Sequence, residues 1–331
     1  MEKTYDVISL GELLIDMTNN GMSERGNTLF EANPGGAPCN VLAILNKLGR
    51  KVGFIGKVGD DIFGHKLKKV LEEVGIDTKN LIIDRDARTT LAFVQTFEDG
   101  DRDFSFYRNP GADMMLKKED VDVDLVRDTK IFHFGTLSMT HEDVREATEY
   151  AIEEAKKAGA IISFDPNLRE PLWNCLDDAK EQVLNGLKKC DVLKISDNEI
   201  QWLTGEVDYT AGVRRIREKY NIPLITVSLG KKGSRVYYKQ PATDGDGIMV
   251  EVKPFLQKNT IETTGAGDTF SGCILHSVLE KGLDNLKEED LKEMLTFANG
   301  AASIVTTRNG ALRVMPNLEE VTEMIKNYSQ F

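Results

Sequence analysis

Glu262-Thr263-Thr264-Gly265-Ala266-Gly267-Asp268-Thr269-Phe270 leads into an apolar helical run that reaches Leu279. Backbone N–H groups in so small-sided a turn can approach a phosphate closely. The first turn of the helix behind it adds unpaired donors and the positive end of a dipole. The stretch is therefore a candidate anion cradle at a helix start. Asp268 inside it has two readings. As a structural residue it caps the helix, a position Asp favours. As a functional one it takes the proton from a hydroxyl that attacks a phosphoryl group. The stretch alone does not choose between them.

Outward from this point the chain alternates strand and helix. Tyr5 to Leu10 is a short apolar, β-prone run that stops at Gly11. Leu13 to Met17 is a second short strand with Asp16 inside it. A carboxylate is disfavoured there and costly if buried unpaired, so Asp16 either faces solvent or accepts hydrogen bonds from a polyol. Asn33-Pro34-Gly35-Gly36-Ala37-Pro38-Cys39-Asn40 runs into a helix over Val41 to Leu48 that Gly49 ends. Gly35-Gly36 is a plain tight turn, or a hinge where a ligand comes close. Asn40, one turn into the helix, points to solvent or to the same ligand. Val52 to Val58 is another strand, and Gly59-Asp60-Asp61 opens a helix through Val74 that buries Ile62, Phe63, Leu67, Val70, Leu71 and Val74.

Thr89 to Arg108 breaks the rhythm, because Thr90 to Val94 and Phe104 to Tyr107 flank the turn Glu98-Asp99-Gly100-Asp101. That is a hairpin signal. With the strand at Leu13 to Met17 it predicts a small β-element standing off a larger α/β body. Arg108 closes the hairpin, with a surface role as its default. Strands follow at Ile131 to Phe134, Ala160 to Phe164, Val192 to Ile195 and Ile222 to Val227. Between them lie helices at Thr140 to Ala158, opened by what resembles a capping box at Thr140 to Asp143, and at Ala179 to Leu187. A hairpin-like pair, Arg235 to Tyr238 and Ile248 to Val252, encloses an exposed loop over 240–247, and helices at Leu291 to Val305 and Leu318 to Asn327 close the chain. The pattern predicts one α/β body over residues 1–331, with a mostly parallel sheet and helices on both faces. Polar groups at Asp165 to Arg169, Ser196 to Glu199 and Ser228 to Gly233 fall at strand ends, where such sheets place ligands.

Composition narrows the partners. The 331 residues carry a formal net charge of -12, so the surface repels nucleic acid and anionic membrane. Small anions can still bind through local basic groups and backbone donors. Cys39, Cys175, Cys190 and Cys273 form no CxxC pair, which argues against zinc or a disulfide framework and for reduced, buried thiols. No signal segment or long apolar run is present, and the expected compartment is cytoplasmic. No Walker-type G-x-x-x-x-G-K-[ST] occurs, no G-x-G-x-x-G follows the first strand, and the four histidines form no HExxH. Physical reading thus reaches a phosphate- or nucleotide-handling enzyme.

Two stretches carry a resemblance. Gly35-Gly36-Ala37-Pro38-Cys39-Asn40 and Thr263-Thr264-Gly265-Ala266-Gly267-Asp268-Thr269-Phe270 are similar to the two signatures of the ribokinase/PfkB family of sugar kinases. Lys57 to Gly64 and Ser228 to Gly233 agree as well, so the likeness covers nearly the whole chain. Thr89 to Val94, Phe106-Tyr107-Arg108, Asp113-Met114 and Phe164 to Arg169 most resemble fructokinases and, less closely, 2-keto-3-deoxygluconate kinases.

The resemblance implies a ribokinase-like fold and transfer of the ATP γ-phosphoryl group to the 6-hydroxyl of fructose. It makes Asp268 the base, with Gly265, Ala266 and Gly267 as the anion hole and Arg169 beside the phosphate. It places Asp16, Gly35, Gly36, Asn40, Phe106, Arg108 and Arg169 on the sugar. Asn167, Lys194, Ser228, Gly230, Gly233 and Asn299 go with the nucleotide. Glu199 would organise Mg²⁺ through water, with Ser196 where relatives often have Asn. Glu262, where Asp is usual, and Thr264 would serve a monovalent cation such as K⁺. The β-element over about 12–34 and 88–110 becomes a lid that pairs two subunits into a homodimer. A non-catalytic sugar sensor on the same fold is the reading from another class; the intact cradle speaks against it, since a sensor has no need of the base.

Overall fold

The computed structural model describes residues 3–96, 102–240, 245 and 247–328. The expected turn at Glu98 to Asp101 lies outside them, as does most of the 241–246 loop. β1 (Tyr5–Leu10) sends Val7 to one apolar layer and Ile8 and Leu10 to the other, as a strand covered on both faces must. The chain then leaves for β2 (Leu14–Met22) and β3 (Thr28–Gly35) before α1 (Ala37–Lys47) returns it to β4 (Val52–Gly59), α2 (Ile62–Glu73) and β5 (Asp77–Asp84). A second excursion makes β6 (Leu91–Thr96) and β7 (Arg102–Tyr107).

A short α3 (Val123–Arg127) precedes β8 (Thr129–Gly135), α4 (Glu142–Lys157), β9 (Ile161–Asp165), α5 (Leu176–Leu187) and β10 (Val192–Ser196). Helices α6 (Asp197–Thr204) and α7 (Tyr209–Arg217) lead to β11 (Leu224–Ser228). The pair β12 (Ser234–Tyr238) and β13 (Ile248–Val252) comes before α8 (Ala266–Lys281), α9 (Glu288–Val305) and α10 (Leu318–Tyr328).

Among the described residues the main sheet has nine strands in the order β13-β12-β11-β10-β9-β8-β1-β4-β5. It is parallel from β11 to β5, with β12 and β13 antiparallel at one edge. Leu42, Leu67, Ile274 and Leu295 from α1, α2, α8 and α9 pack on one face with Phe54; Val144, Ile152, Val183, Ile200 and Ile216 from α4 to α7 pack on the other with Phe132. The mostly parallel, doubly covered sheet therefore stands as expected. Glu12 follows β1, Thr136 and Leu137 follow β8, and Asn167 and Arg169 follow β9, so mostly polar residues gather at the carboxyl ends of adjacent parallel strands.

Among the described residues the two excursions form a separate four-stranded sheet in the order β3-β2-β6-β7. Its side chains divide by the strand period of two. Asp16, Thr18, Glu31, Asn33, Val94 and Phe106 line a cavity against the main body. Met17, Phe30, Phe93 and Tyr107 alternate with them onto the opposite face, where Phe93 stacks edgewise between Phe30 and Tyr107 at 5.2 Å from each.

Several local expectations give way. β3 is a full strand rather than a loop and turn, and tolerates Pro34 because it lies at the sheet edge. Ile62, expected inside, is 79% exposed immediately after the Asp61 cap. Thr140 does not cap α4: the N-cap is His141, and the Thr140 hydroxyl donates to Leu137 O at 2.9 Å. Cys175 is exposed, whereas the other three cysteines are buried. Among the described residues no helix is long and apolar enough to cross a membrane.

Candidate active site

Gly265 is the N-cap of α8 at a φ of 76°, and a Cβ there would sit 2.9 Å from the Ala311 Cβ; both favour glycine. The Ala266 N–H closes the turn on Thr263 O at 3.2 Å. Thr263, Thr264, Gly265 and Gly267 line the cavity. Lys194 borders it, its Nζ 3.5 Å from where a Gly267 Cβ would stand.

Asp268 is the third helical residue and makes no capping bond, which removes the cap reading. Its carboxylate is buried, with Oδ2 accepting from Asn40 Nδ2 at 2.8 Å and Oδ1 3.5 Å from Asn167 Nδ2. Asn40 reaches it because α1 and α8 pack closely at Gly272, where a Cβ would fall 2.3 Å from the Ile44 Cγ2. Burial raises the Asp268 pKa above the ordinary carboxylate value, and the Asn40 bond, Lys194 and Arg169 pull against it. A buried carboxylate held open-side to a cavity beside helix-terminal N–H groups is equipped to take a proton next to a transferring anion.

The cavity measures about 520 Å³ between the main body and the small sheet. Asp16 enters it from β2, crossing Gly35, whose missing Cβ would lie 2.3 Å from the Asp16 Oδ2. Burial pushes Asp16 up to about 6, with Arg169 opposing and Glu262 and Asp268 adding to the rise. Gly36, at a φ of 130°, passes against Glu12 O where a Cβ would be 2.4 Å away. Asn40, Phe106, Asn167, Arg169 and Glu262 also line the wall. Glu262 Oε1 accepts from Gly310 N at 2.6 Å, tying the cradle to the turn after α9.

Six expected site residues, Arg108, Glu199, Asn299, Ser228, Gly230 and Gly233, do not line this cavity. Arg108 is buried behind Leu137 and is not on the wall: Nε donates to Asp113 Oδ2 at 2.8 Å, Nη1 to Thr140 Oγ1 at 2.8 Å and Nη2 to Leu137 O at 3.0 Å. Glu199 takes up both oxygens on protein, Oε1 with Leu168 N at 2.8 Å and Oε2 with Ser196 N and Oγ at 2.8 and 2.7 Å. It thereby caps α6 and fixes the loop that carries Arg169. Asn299 clamps the edge hairpin, accepting from Ser234 Oγ at 2.9 Å and donating to the carbonyls of Val252 and Lys253 at 3.3 Å. Ser228, Gly230 and Gly233 lie in the turn between β11 and β12, away from this cavity, and a Gly233 Cβ would fall 2.2 Å from Val252 O.

Two carboxylates had no expected role. Asp165 ends β9 and holds Lys194, whose Nζ is 3.0 and 3.1 Å from its two oxygens. Burial works against the Lys194 charge, but Asp165, Glu199 and Asp268 outweigh it and hold its pKa above the usual lysine value. Glu12 accepts from Ala37 N at 2.9 Å and so joins the two stems that connect β2 and β3 to the body. Burial pushes Glu12 up to about 7. A carboxylate at the carboxyl end of a buried strand was the available signal for both.

A buried carboxylate, a small-residue turn at a helix start and a polar cavity at the ends of a doubly covered sheet are the features of a phosphoryl-transfer kinase for a polyol. The chain belongs to the pfkB family of carbohydrate kinases, whose profile matches residues 5–318. It is 40% identical over 322 residues to "Probable fructokinase-2" of Arabidopsis thaliana, covering 97% of this chain and 95% of that one. The fructokinase of Xylella fastidiosa with bound ATP superposes with a TM-score of 0.87 at 31% identity, covering 98% and 99% of the two chains. A double mutant of the Vibrio cholerae O395 fructokinase, with fructose, ADP and potassium bound, gives 0.83 at 28% identity, covering 98% and 100%.

Proposed function

We propose that this chain is an ATP-dependent fructokinase that phosphorylates the 6-hydroxyl of D-fructose. The observation that carries the reading is Asp268, buried at the start of α8 and held by Asn40 at 2.8 Å, facing the polar cavity that Asp16 enters from the opposite side. The similarity to fructokinases supports the choice of sugar.

The small sheet over 12–34 and 88–110 is the lid of a single body. The sugar lies between Asp16, the Gly35-Gly36 turn, Asn40 and Phe106, while Arg108 supports the wall from behind. Asp268 takes the proton from the 6-hydroxyl as its oxygen bonds to the γ-phosphorus. The bond to the bridging oxygen breaks, and ADP leaves. Gly265, Gly267 and the positive end of α8 face the charge on the transferring group, with Arg169 and Lys194 beside it. The nucleotide extends past Asn167 and Lys194 toward the Ser228 to Gly233 turn, whose hairpin Asn299 holds in place.

Mg²⁺ supplies charge neutralisation on the nucleotide phosphates when bound. Among the described residues no three His, Cys, Asp or Glu side chains group to cage an ion. This fits an ion held mainly by phosphate and water, with Glu199 organising the loop around it. Glu262 and Thr264 border the loop where a monovalent cation would act. The aromatic row Phe30, Phe93, Tyr107 on the outer lid face suits a homodimer interface, and the compartment we assign is the cytoplasm.

The test is a coupled assay with ATP, Mg²⁺ and fructose, ribose, adenosine or 2-keto-3-deoxygluconate, with and without K⁺. Fructose is expected to have the highest kcat/KM; preference for the keto acid overturns the substrate. Asp268→Asn is expected to lower kcat by at least about 10²-fold, and retained turnover would remove it as base. Sedimentation of the wild type and Tyr107→Glu checks the dimer.

A further inference from the structure

The sugar-side wall is acidic, and an arginine that could offset it is held behind the wall. Of the ionisable side chains lining the cavity, Glu12, Asp16, Glu31, Glu262 and Asp268 are acids, and Arg169 and Lys194 are bases; burial favours the neutral form of Glu12, so the acidic excess rests on the other four. Lys194 is already paired with Asp165. Arg108 lies one layer back, behind the lining residue Leu137, whose carbonyl it holds. Asp113 neutralises it there at 2.7 Å, with both side chains only 2% exposed. Thr90 Oγ1 donates to the other Asp113 oxygen at 2.5 Å and fixes the carboxylate. A sugar carrying its own carboxylate would meet an excess of negative charge where the screening of bulk water is reduced. A neutral ketose meets acceptors for its hydroxyls.

We propose that Asp113 is a specificity-determining residue: by neutralising and tethering Arg108 behind the pocket wall, it makes the pocket select neutral keto sugars over keto sugar acids. This rests on the fructokinase reading above. Without the Asp113 charge, Arg108 stands uncompensated behind Leu137 and the wall becomes favourable to a carboxylate. Glu31, exposed at the rim, works in the same direction from the front.

The experiment measures kcat/KM for D-fructose and for 2-keto-3-deoxygluconate at low and high salt, in the wild type, Asp113→Asn and Glu31→Gln. Absence of fructose turnover in the wild type sinks the fructokinase reading; the selection mechanism is judged on the keto-acid-to-fructose ratio. That ratio is expected to be below one in the wild type and to rise with salt as repulsion is screened. It is expected to rise about tenfold in Asp113→Asn and about threefold in Glu31→Gln. If Asp113→Asn fails to fold, Glu31→Gln and the wild-type salt response decide. A ratio unchanged across the chains that fold, or indifferent to salt, overturns the proposal.

Discussion

Replacing Glu12 by Gln removes a titrating proton from the lid stems while keeping an oxygen that can accept from Ala37 N. Burial moves the Glu12 pKa from 4.5 to about 7, so between those values the folded chain holds a proton that the unfolded chain has released. Stability then falls as pH rises through that window, the sign for a carboxylate raised by folding. A gap of that size corresponds to about 3 kcal/mol once fully expressed. Asp16 and Asp165 are raised by burial in the same way, but their contributions are common to both proteins and cancel in the difference. Urea unfolding of wild type and Glu12→Gln, from about pH 4.5 to 8, reads that difference directly. The variant is expected to gain on the wild type by up to about 3 kcal/mol across the window and to hold the advantage above it. Parallel curves, with a difference constant to within about 0.5 kcal/mol, would refute the idea that Glu12 is buried at the expense of its charge.

Asn40→Ala removes the bond that lowers the Asp268 pKa, so the acid limb of kcat/KM is expected to move to higher pH; an unmoved limb separates Asn40 from the base. Gly272→Ala places a Cβ 2.3 Å from the Ile44 Cγ2 and 3.0 Å from Val41 O. It is expected to lower stability by about 1–3 kcal/mol, with partial recovery when Ile44→Leu takes away the branch; thermal unfolding checks both. Arg108→Met leaves Asp113 buried without its partner and is expected to cost about 3–5 kcal/mol, whereas a merely superficial arginine would be replaced with little change in the melting temperature.

The sheet was legible because its central strands are mostly apolar on both faces: β1, β4, β8 and β11 read as short β-prone runs in spite of the buried Ser9, Lys57, His133 and Thr226. β3 and β5 did not, since Thr28 to Gly35 and Asp77 to Asp84 mix polar and charged residues at sheet edges. Helices α6 and α7 were passed over because their short amphipathic runs sit between two stronger strands. In the site, the glycine-rich turn and Asp268 were visible because the chemistry is contiguous along the chain. Arg108 misled because its partners arrive from elsewhere, with Thr140 and Leu137 lying 32 and 29 residues downstream. Glu12 and Asp165 are ordinary carboxylates on paper; only burial gives them meaning.

Asp268 and Asn40 sit on helices of the main body that meet at Gly272, whereas Asp16, Glu31, Asn33 and Phe106 arrive on the four-stranded sheet. The pocket wall is thus shared between two parts of the chain. Drift in β2, β3, β6 and β7 can reshape its outer half without disturbing the packing of α1 on α8 that holds Asp268. Grafting those four strands from a relative, together with the segment through Asp113 that holds Arg108, would exchange that half and leave Asp268 where it is.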